Sequence, residues 1–194
     1  MIVSCIVEGD GEVAALPVLL RRLTDHFGAG KWIDIPLPIR VKRDRFLNRD
    51  GEFERFLLLA ATKAGDGRVL VLLDADDDCP VELARSISER ASALIDPDRL
   101  AVVIAVREFE GWFIAAADHL DGTRGFRFAG NLPVDPENIR GAKEWLSERI
   151  DAGRYHEVAD QPAFCARLRI DVAEDRSRSF RKLCDEWRLI VEAT

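Results

Sequence analysis

Two stretches, IVSCIVEGDGE at residues 2–12 and VLVLLDADDD at residues 69–78, decide the fold of this chain. Each begins with a short continuous apolar run, which is typical of a strand buried on both faces of a parallel sheet. Each then ends in a cluster of carboxylates. Because the carboxyl ends of parallel strands lie at one edge of a sheet, we expect the two acidic clusters to share that edge.

The pattern around these stretches predicts an α/β fold with a mainly parallel sheet of about four strands flanked by helices. Strand and helix patterns alternate about four times along the first two thirds of the chain. Strands are predicted at residues 2–7, 33–41, 68–73 and 100–106, and helices at residues 12–27, 51–64, 80–95 and 108–117.

The remainder of the chain has a different pattern. Residues 121–138 are rich in Gly, Pro and Asn and predict a loop. Helices are predicted after it, at residues 141–152, 162–168 and 177–191. No linker separates a second domain, so we expect a single domain over residues 1–194, with a core at 1–118 and a loop and helical extension at 119–194.

Composition narrows the classes of function. The formal net charge is −7, so a nucleic-acid substrate would need a local basic face or a bound metal. The cysteines form no CxxC pair or zinc-finger spacing, and reduced structural thiols fit a cytoplasmic protein. The apolar runs are too short for a signal peptide or a membrane span, so we expect no membrane partner.

The acidic clusters predict a magnesium site. Two carboxylates held close together repel each other by about 4 kcal/mol at an effective dielectric near 20, and a divalent cation relieves that repulsion. Asp74 and Asp76 point to the same side of an extended backbone and can reach one cation. Glu8 is a candidate metal ligand or general base, and Glu12 follows it by one helical turn. The alternative is a strand-to-helix turn with capping carboxylates, which explains Glu8 and the run of aspartates less well.

A third acidic segment, REFEGW at residues 107–112, follows the fourth predicted strand. It therefore emerges at the same edge of the sheet, and either Glu108 or Glu110 is a candidate further ligand. The alternative is a solvated helix start that Trp112 packs into place.

The densest basic segment is RSRSFRK at residues 176–182. It precedes a helix, so its hydroxyls, its cations and the helix N-terminus could contact a phosphate. The alternative is a solvated helix start. The segment KRDR at residues 42–45 could serve in the same way with less specificity.

The order of these motifs resembles the Toprim domain of topoisomerases, bacterial primases and overcoming-lysogenization-defect nucleases. The resemblance rests on a strand ending in Glu8-Gly9, a second glutamate at Glu12, and a later strand ending in Asp74-Ala75-Asp76. More closely, the chain resembles domain-of-unknown-function family 4276 over nearly its whole length. That resemblance adds the segments Glu108–Trp112 and Ser177–Phe180.

The resemblance implies a Toprim-like (Rossmann-like) fold and a division of labour among the acidic residues. Glu8 would do acid–base or metal-binding work, and Asp74 and Asp76 would hold magnesium. Glu12 and Glu110 could match a second acidic site of the nucleases. Those nucleases also use a lysine, for which Lys182 and Lys143 are both candidates.

The first hypothesis is therefore a metal-dependent phosphodiesterase that cuts nucleic acid with one or two Mg²⁺ or Mn²⁺ ions. The alternatives are a non-catalytic effector that docks on a partner, such as an ATPase in an antiphage defence system, and a small-molecule phosphatase. The expected catalytic residues are Glu8 and Lys182, the expected metal ligands are Glu8, Glu12, Asp74, Asp76 and Glu110, and the expected phosphate contacts are Ser177, Arg178, Ser179 and Arg181.

Overall fold

The structure, a computed structural model, describes residues 1–151 and 153–194. In these residues, four strands form one parallel sheet in the order β2-β1-β3-β4. The strands are β1 (Val3–Val7), β2 (Ile39–Arg40), β3 (Arg68–Asp74) and β4 (Leu100–Ala105). The predicted α/β class and the parallel four-stranded sheet are confirmed.

Helices flank this sheet and continue into the carboxy-terminal part of the chain, as predicted. Between the strands and directly after them lie α1 (Asp10–Phe27), α2 (Arg43–Asn48), α3 (Glu52–Ala64), α4 (Pro80–Ala91) and α5 (Gly111–Ala115). The carboxy-terminal helices are α6 (Ala142–Ser147), α7 (Glu157–Arg167), α8 (Ile170–Arg176) and α9 (Arg178–Glu192).

The two faces of the sheet bury separate hydrophobic clusters, because successive strand residues point to opposite sides. Val3, Cys5 and Val7 face one side and pack with side chains of α1, α5, α7 and α9. Ile6, Val69 and Val71 face the other side and pack with side chains of α2, α3 and α4. Helices from the carboxy-terminal part thus complete one of the two layers.

The strand order positions the candidate site. The chain places β2 on one side of β1, and β3 and β4 on the other, so the winding direction reverses between β1 and β3. In parallel sheets, such a switch point leaves a crevice at the carboxyl ends of the strands. Glu8 directly follows β1 and Asp74 is the last residue of β3, so both carboxylates belong to this crevice.

The second strand is much shorter than predicted. The predicted strand at residues 33–41 contracts to Ile39–Arg40, and Asp34 joins the sheet only through an isolated bridge to Ile2. Pro36 and Pro38 explain the difference, because a proline has no N–H group to donate to a neighbouring strand.

Several helix boundaries also differ from the predictions. The helix predicted at 108–117 shrinks to Gly111–Ala115 because the preceding residues form tight turns at the sheet edge. The helix predicted at 162–168 begins at Glu157 and contains Pro162, since its packing against α1 overrides the local preference. The helix predicted at 141–152 ends at Ser147; its predicted last residue lies outside the described residues. Helices α2 and α8 were not predicted.

The structure also bears on the thiols and on membrane insertion. All four cysteines are free; Cys5, Cys165 and Cys184 are buried, and Cys79 is exposed. Among the residues that the structure describes, no helix is both long and apolar enough to span a bilayer.

Candidate functional site

The first carboxylates of the site come from the turn between β1 and α1. Glu8 is half-buried, and its Oε2 atom is buried without a hydrogen-bond partner. Glu12 is buried and accepts a hydrogen bond from the backbone N–H of Gly9, so it also caps α1. Burial raises the pKa of Glu8, and the neighbouring charges of Asp76 and Glu12 raise it further, while Arg43 opposes them. Burial likewise raises the pKa of Glu12.

The next carboxylate ends β3. The Oδ1 atom of Asp74 accepts a hydrogen bond of 2.9 Å from the backbone N–H of Phe109, which ties the end of β3 to the segment after β4. Burial raises the pKa of Asp74 well above its usual value, and the charges of Glu12, Glu110 and Glu8 add to the effect. This coupling places all four carboxylates in one electrostatic cluster.

Glu110 is the most deeply buried member of that cluster, with an exposed fraction of 0 %. Its Oε1 atom accepts a 2.8 Å hydrogen bond from Nε2 of Gln161, but its Oε2 atom has no partner. Burial raises the pKa of Glu110 to about 7, even though Lys143 and Gln161 favour its charged form. A carboxyl group that titrates near neutral pH can accept or donate a proton during catalysis.

Gln161 can reach Glu110 because the residue of α1 that faces it is a glycine, Gly11. A Cβ atom at Gly11 would lie 2.2 Å from Oε1 of Gln161, which is far inside van der Waals contact. Gln161 belongs to α7, so this close approach brings the carboxy-terminal layer onto the turn that carries Glu8 and Glu12.

Lys143, in the first turn of α6, is the cation of this cluster. Burial by itself would lower its pKa, but the charges of Glu110, Glu157 and Asp74 outweigh burial and raise it. Its Nζ atom lies 3.1 Å from Glu157. The charge of Lys143 also lowers the pKa of each of the four carboxylates, so the lysine stabilises their ionised forms.

Arginines hold the outer part of the edge. Arg43 lies 3.4 Å from Asp76 and also pairs with Asp78, and its side chain is only 16 % exposed. Asp77 pairs instead with Arg107 at 2.8 Å and with Arg140 at 2.7 Å, and hydrogen bonds from these arginines lower its pKa. All three aspartates therefore pair with arginines, but Asp76 has only the longer contact of 3.4 Å, and its charge also raises the pKa of Glu8.

The backbone at this edge is strained. Asp76 has φ 51° and Arg107 has φ 58°, in the left-handed region that ordinary residues avoid. The N–H of Asp76 donates to the carbonyl of Arg107 at 3.0 Å, so the two strained residues support each other. Strain of this kind concentrates at functional sites.

The donors at this edge suit a hard divalent cation, because all of the candidate ligands are carboxylate oxygens. Two of these oxygens, Oε2 of Glu8 and Oε2 of Glu110, are buried without a partner. Across residues 1–151 and 153–194, however, no three or more Asp, Glu, His or Cys side chains are already grouped so as to hold an ion. The edge therefore fits a magnesium-type ion held by few carboxylates, with water and substrate oxygens completing its coordination.

The predicted phosphate contacts at the start of α9 have an internal partner. The buried carboxylate of Glu137 accepts hydrogen bonds from the hydroxyls of Ser177 and Ser179 and from the backbone N–H groups of Arg178 and Ser179. Ser177 also caps α9 by accepting from the N–H of Phe180 at 3.0 Å. The donors that were predicted to contact a phosphate are therefore bonded to a carboxylate of the same chain.

Two further basic residues of this segment, Arg181 and Lys182, also have local partners. Arg181 donates to the carbonyls of Glu174 and Asp175. Lys182 is exposed and pairs with Glu186 one helical turn on, rather than with the carboxylates of the sheet edge. Of the two lysines that the sequence offered, the structure brings Lys143 to the cluster and leaves Lys182 outside it.

The site also contains residues that sequence reasoning missed. These are Gln161 and Tyr155 in the interior, Glu137 at the start of α9, and Arg107 and Arg140 at the outer edge. The hydroxyl of Tyr155 is buried and meets no acceptor with normal hydrogen-bond geometry, and burial, the charge of Glu110 and a weak interaction with that carboxylate raise its pKa well above the usual value. Arg107 lies in the acidic segment after β4, but the other four residues lie in no local motif, and only the folded chain brings them close to the strand ends.

Fold and site together define an α/β protein with a carboxylate-rich edge at the switch point of a parallel sheet. The profile of DUF4276, a domain of unknown function, matches residues 7–187, and the chain belongs to that family. No curated protein and no solved structure matches the chain. The similarity to Toprim domains stays a prediction.

Proposed function

We propose that this protein is a metal-dependent phosphodiesterase that acts on nucleic acid with one or two Mg²⁺ or Mn²⁺ ions. One observation carries the proposal: Glu8, Glu12, Asp74 and Glu110 converge with raised pKa values, and two of their oxygens are buried without a partner. A close pair of such carboxylates costs about 4 kcal/mol at an effective dielectric near 20. A bound cation would offset that cost.

Glu8 and Asp74 would hold the ion from the two adjoining strand ends, and Asp76 would reach it through a bound water, since no three acidic side chains of the described residues are grouped around one point. Glu12 and Glu110 would supply a second ion site or bind through water. A bound divalent ion would activate water and stabilise negative charge on a phosphate. Asp77 and Asp78 are not part of this ligand set, because they pair closely with arginines and, unlike Asp76, do not act on the pKa of Glu8.

Among the chain's own groups, Lys143 provides the positive charge inside the cluster. It favours the ionised forms of the neighbouring carboxylates, and it would stabilise a phosphate oxygen that gains charge. Glu110, whose pKa is raised to about 7, provides a group that can hold or release a proton near neutral pH. We therefore assign the lysine role to Lys143 in place of Lys182.

A pair of double variants tests the metal site. Asp74→Ala/Asp76→Ala removes two proposed ligands, and Asp77→Ala/Asp78→Ala removes the same charge from the same segment. Titration with Mn²⁺, followed by electron paramagnetic resonance, should show binding to the wild type and to the control, and at least tenfold weaker binding to the ligand variant. Absence of binding to the wild type, or equal binding to all three proteins, would contradict the proposal.

Cleavage of labelled DNA and RNA in Mg²⁺ or Mn²⁺ tests the chemistry. We expect cleavage by the wild type and at least a hundredfold loss of rate in Lys143→Ala and in Glu110→Gln, because both changes act inside the cluster. Lys182→Ala should keep its rate. If hydrolysis is seen only with a small phosphomonoester, the phosphatase alternative would replace the nuclease proposal.

A second candidate function is that of an effector that works only with a partner, such as an ATPase. Two exposed apolar side chains favour it: Trp32 is 78 % exposed and Leu37 is 70 % exposed, both in the segment before β2. Single exposed apolar side chains are common on protein surfaces, so this candidate requires that the two residues form one contiguous patch for a partner. Metal binding without cleavage by the isolated chain, followed by cleavage once the partner is added, would support this candidate.

A further inference from the structure

We propose that a basic cleft beside the sheet edge binds the sugar–phosphate backbone of nucleic acid. The basic cleft is formed by Arg40, Lys42, Arg45 and Arg55, and Glu52 and Phe56 complete its lining. It deepens the proposed function and rests on it, because it names where the substrate of the carboxylate site is held.

The basic cleft has more positive charge than its own carboxylate can neutralise. Arg45, Arg49 and Arg55 all lie within 4 Å of the single carboxylate of Glu52, at 3.5, 3.9 and 3.0 Å. Glu52 is 15 % exposed on its side chain, whereas Arg45 is 49 % exposed and Arg55 is 63 % exposed. Positive charge therefore faces solvent while the negative charge lies beneath it.

Lys42 adds a further charge to the same cleft. It is exposed and forms no ion pair with any of the residues that the structure describes. The nearest acidic residue in the sequence, Asp44, instead accepts a hydrogen bond from Asn48 in the next turn of α2. In a chain with a net charge of −7, this local excess needs an explanation.

The basic cleft is contiguous with the carboxylate site. Arg40 ends β2 beside Val7, and its Nε atom lies 3.0 Å from Asp10, the residue between Glu8 and Glu12 in the turn. Beside Lys42, Arg43 is the first residue of α2 and pairs with Asp76, two residues after the end of β3. A polyanion bound in the cleft would thus extend directly to the proposed metal ligands.

The chemistry of the cleft favours a repeating anion over a single phosphate. Its cations are spread along β2, α2 and α3 and are widely exposed, so each contact is weak alone. A nucleic-acid backbone engages several such cations at once and releases counterions from each contact. The start of α9 cannot take this role, because Glu137 already occupies its donors.

The test compares two double variants that remove the same charge. Lys42→Ala/Arg45→Ala removes two cations from the cleft and leaves Arg55 paired with Glu52. Arg21→Ala/Arg167→Ala removes two exposed arginines from α1 and α7, on the opposite face of the sheet. Binding of a fluorescent 20-nucleotide single strand is followed by anisotropy in EDTA, so that cleavage plays no part.

We expect the cleft variant to bind at least tenfold more weakly than the wild type. Its plot of log affinity against log salt concentration should be shallower by about 1.4, since each single-strand contact contributes about 0.7. The control variant should match the wild type. A charge-keeping variant, Lys42→Arg/Arg45→Lys, should restore binding, which would separate loss of charge from loss of folding.

Three results would overturn the inference. These are no binding of the strand by the wild type, equal loss in the cleft and control variants, and displacement of the strand by equimolar inorganic phosphate, which would indicate a small phosphate ester as ligand. Binding that depends on the cleft without any cleavage in Mg²⁺ would leave the inference intact and contradict the proposed phosphodiesterase activity.

Discussion

Two buried anionic regions of this protein have opposite kinds of surroundings. At the start of α9, the carboxylate of Glu137 receives four hydrogen bonds from Ser177, Ser179 and adjacent backbone N–H groups. At the sheet edge, Glu8 and Glu110 each keep one buried oxygen without any partner, and burial raises the pKa of both groups.

The difference separates a structural anion from the carboxylates that we propose to be functional. A buried charge is tolerated when donors surround it, and it is costly when they do not. Glu137 belongs to the first kind, so it joins the loop before α6 to α9. The carboxylates of the sheet edge belong to the second kind, and their unsatisfied oxygens are the feature that the proposed cation would complete.

The largest expected effect comes from removing the structural anion. Glu137→Ala would leave several buried donors without an acceptor, and we expect it to lower the free energy of unfolding by about 3 kcal/mol. Urea denaturation measures the change. Glu137→Gln keeps one acceptor oxygen and should cost about half as much, and equal stability of Glu137→Ala and wild type would remove the contrast between the two regions.

Removing charge from the carboxylates of the sheet edge should raise the free energy of unfolding rather than lower it. Burial raises the pKa of Glu110 from 4.5 to about 7, so its ionised form opposes folding above neutral pH. The neutral isostere Glu110→Gln is therefore expected to stabilise the protein at pH 8 by about 2 kcal/mol, below the upper bound of about 3.5 kcal/mol that follows from about 1.4 kcal/mol per pKa unit. Thermal or urea denaturation at pH 8 measures it; lower stability of the variant would contradict the assignment.

The same group predicts the pH dependence of stability. Between pH 4.5 and about 7, the unfolded chain releases the Glu110 proton while the folded protein keeps it. Stability of the wild type should therefore fall as the pH rises through this window, by about 1 kcal/mol per pH unit at most from this group. Glu110→Gln should flatten the profile, and a profile that is unchanged by the substitution would show that Glu110 titrates normally.

The loss of Lys143 should have a smaller effect in the opposite direction. Lys143→Met removes the cation that favours the ionised form of Glu110. The pH range over which stability falls should therefore extend to higher pH. Because the side chain of Lys143 is 37 % exposed, solvent screens the interaction, and we expect a loss of about 1 kcal/mol at pH 8. Lys182→Met, which leaves the cluster untouched, should show no such shift.

The smallest effect belongs to the exposed aspartate of the same edge. Asp77 pairs with Arg107 and Arg140 at the surface, where ion pairs contribute little. Asp77→Asn should change the free energy of unfolding by less than about 0.5 kcal/mol, measured by urea denaturation. A large loss would place Asp77 with Glu137 among the structural anions.

Much of the fold was predictable because its signals are local. The apolar runs ending at Val7 and Asp74 identified two central strands, and the helical spacing before Phe27 identified α1. The prediction was wrong at Pro162, which lies inside α7 because packing against α1 overrides the local preference. It was also wrong around Pro36 and Pro38, where the predicted strand is mostly irregular because a proline has no N–H group to donate to a neighbouring strand.

The candidate site divides in the same way. The segment Ser177–Arg181 was predicted to contact a phosphate, and the sequence could not show that Glu137, about forty residues away in the chain, bonds to its serines. The choice between Lys143 and Lys182 was also open, since only packing of α6 against the edge separates them.

The sequence by itself determined that Glu8 and Asp74 follow buried strands, and parallel strands must deliver such residues to one edge of a sheet. Only the tertiary structure decided which of the acidic residues are satisfied and which are not. The physical reason is that hydrogen-bond donors, counter-charges and burial come from distant segments. Gln161 and Lys143 meet these carboxylates only after α7 packs against α1 and α6 joins the same layer.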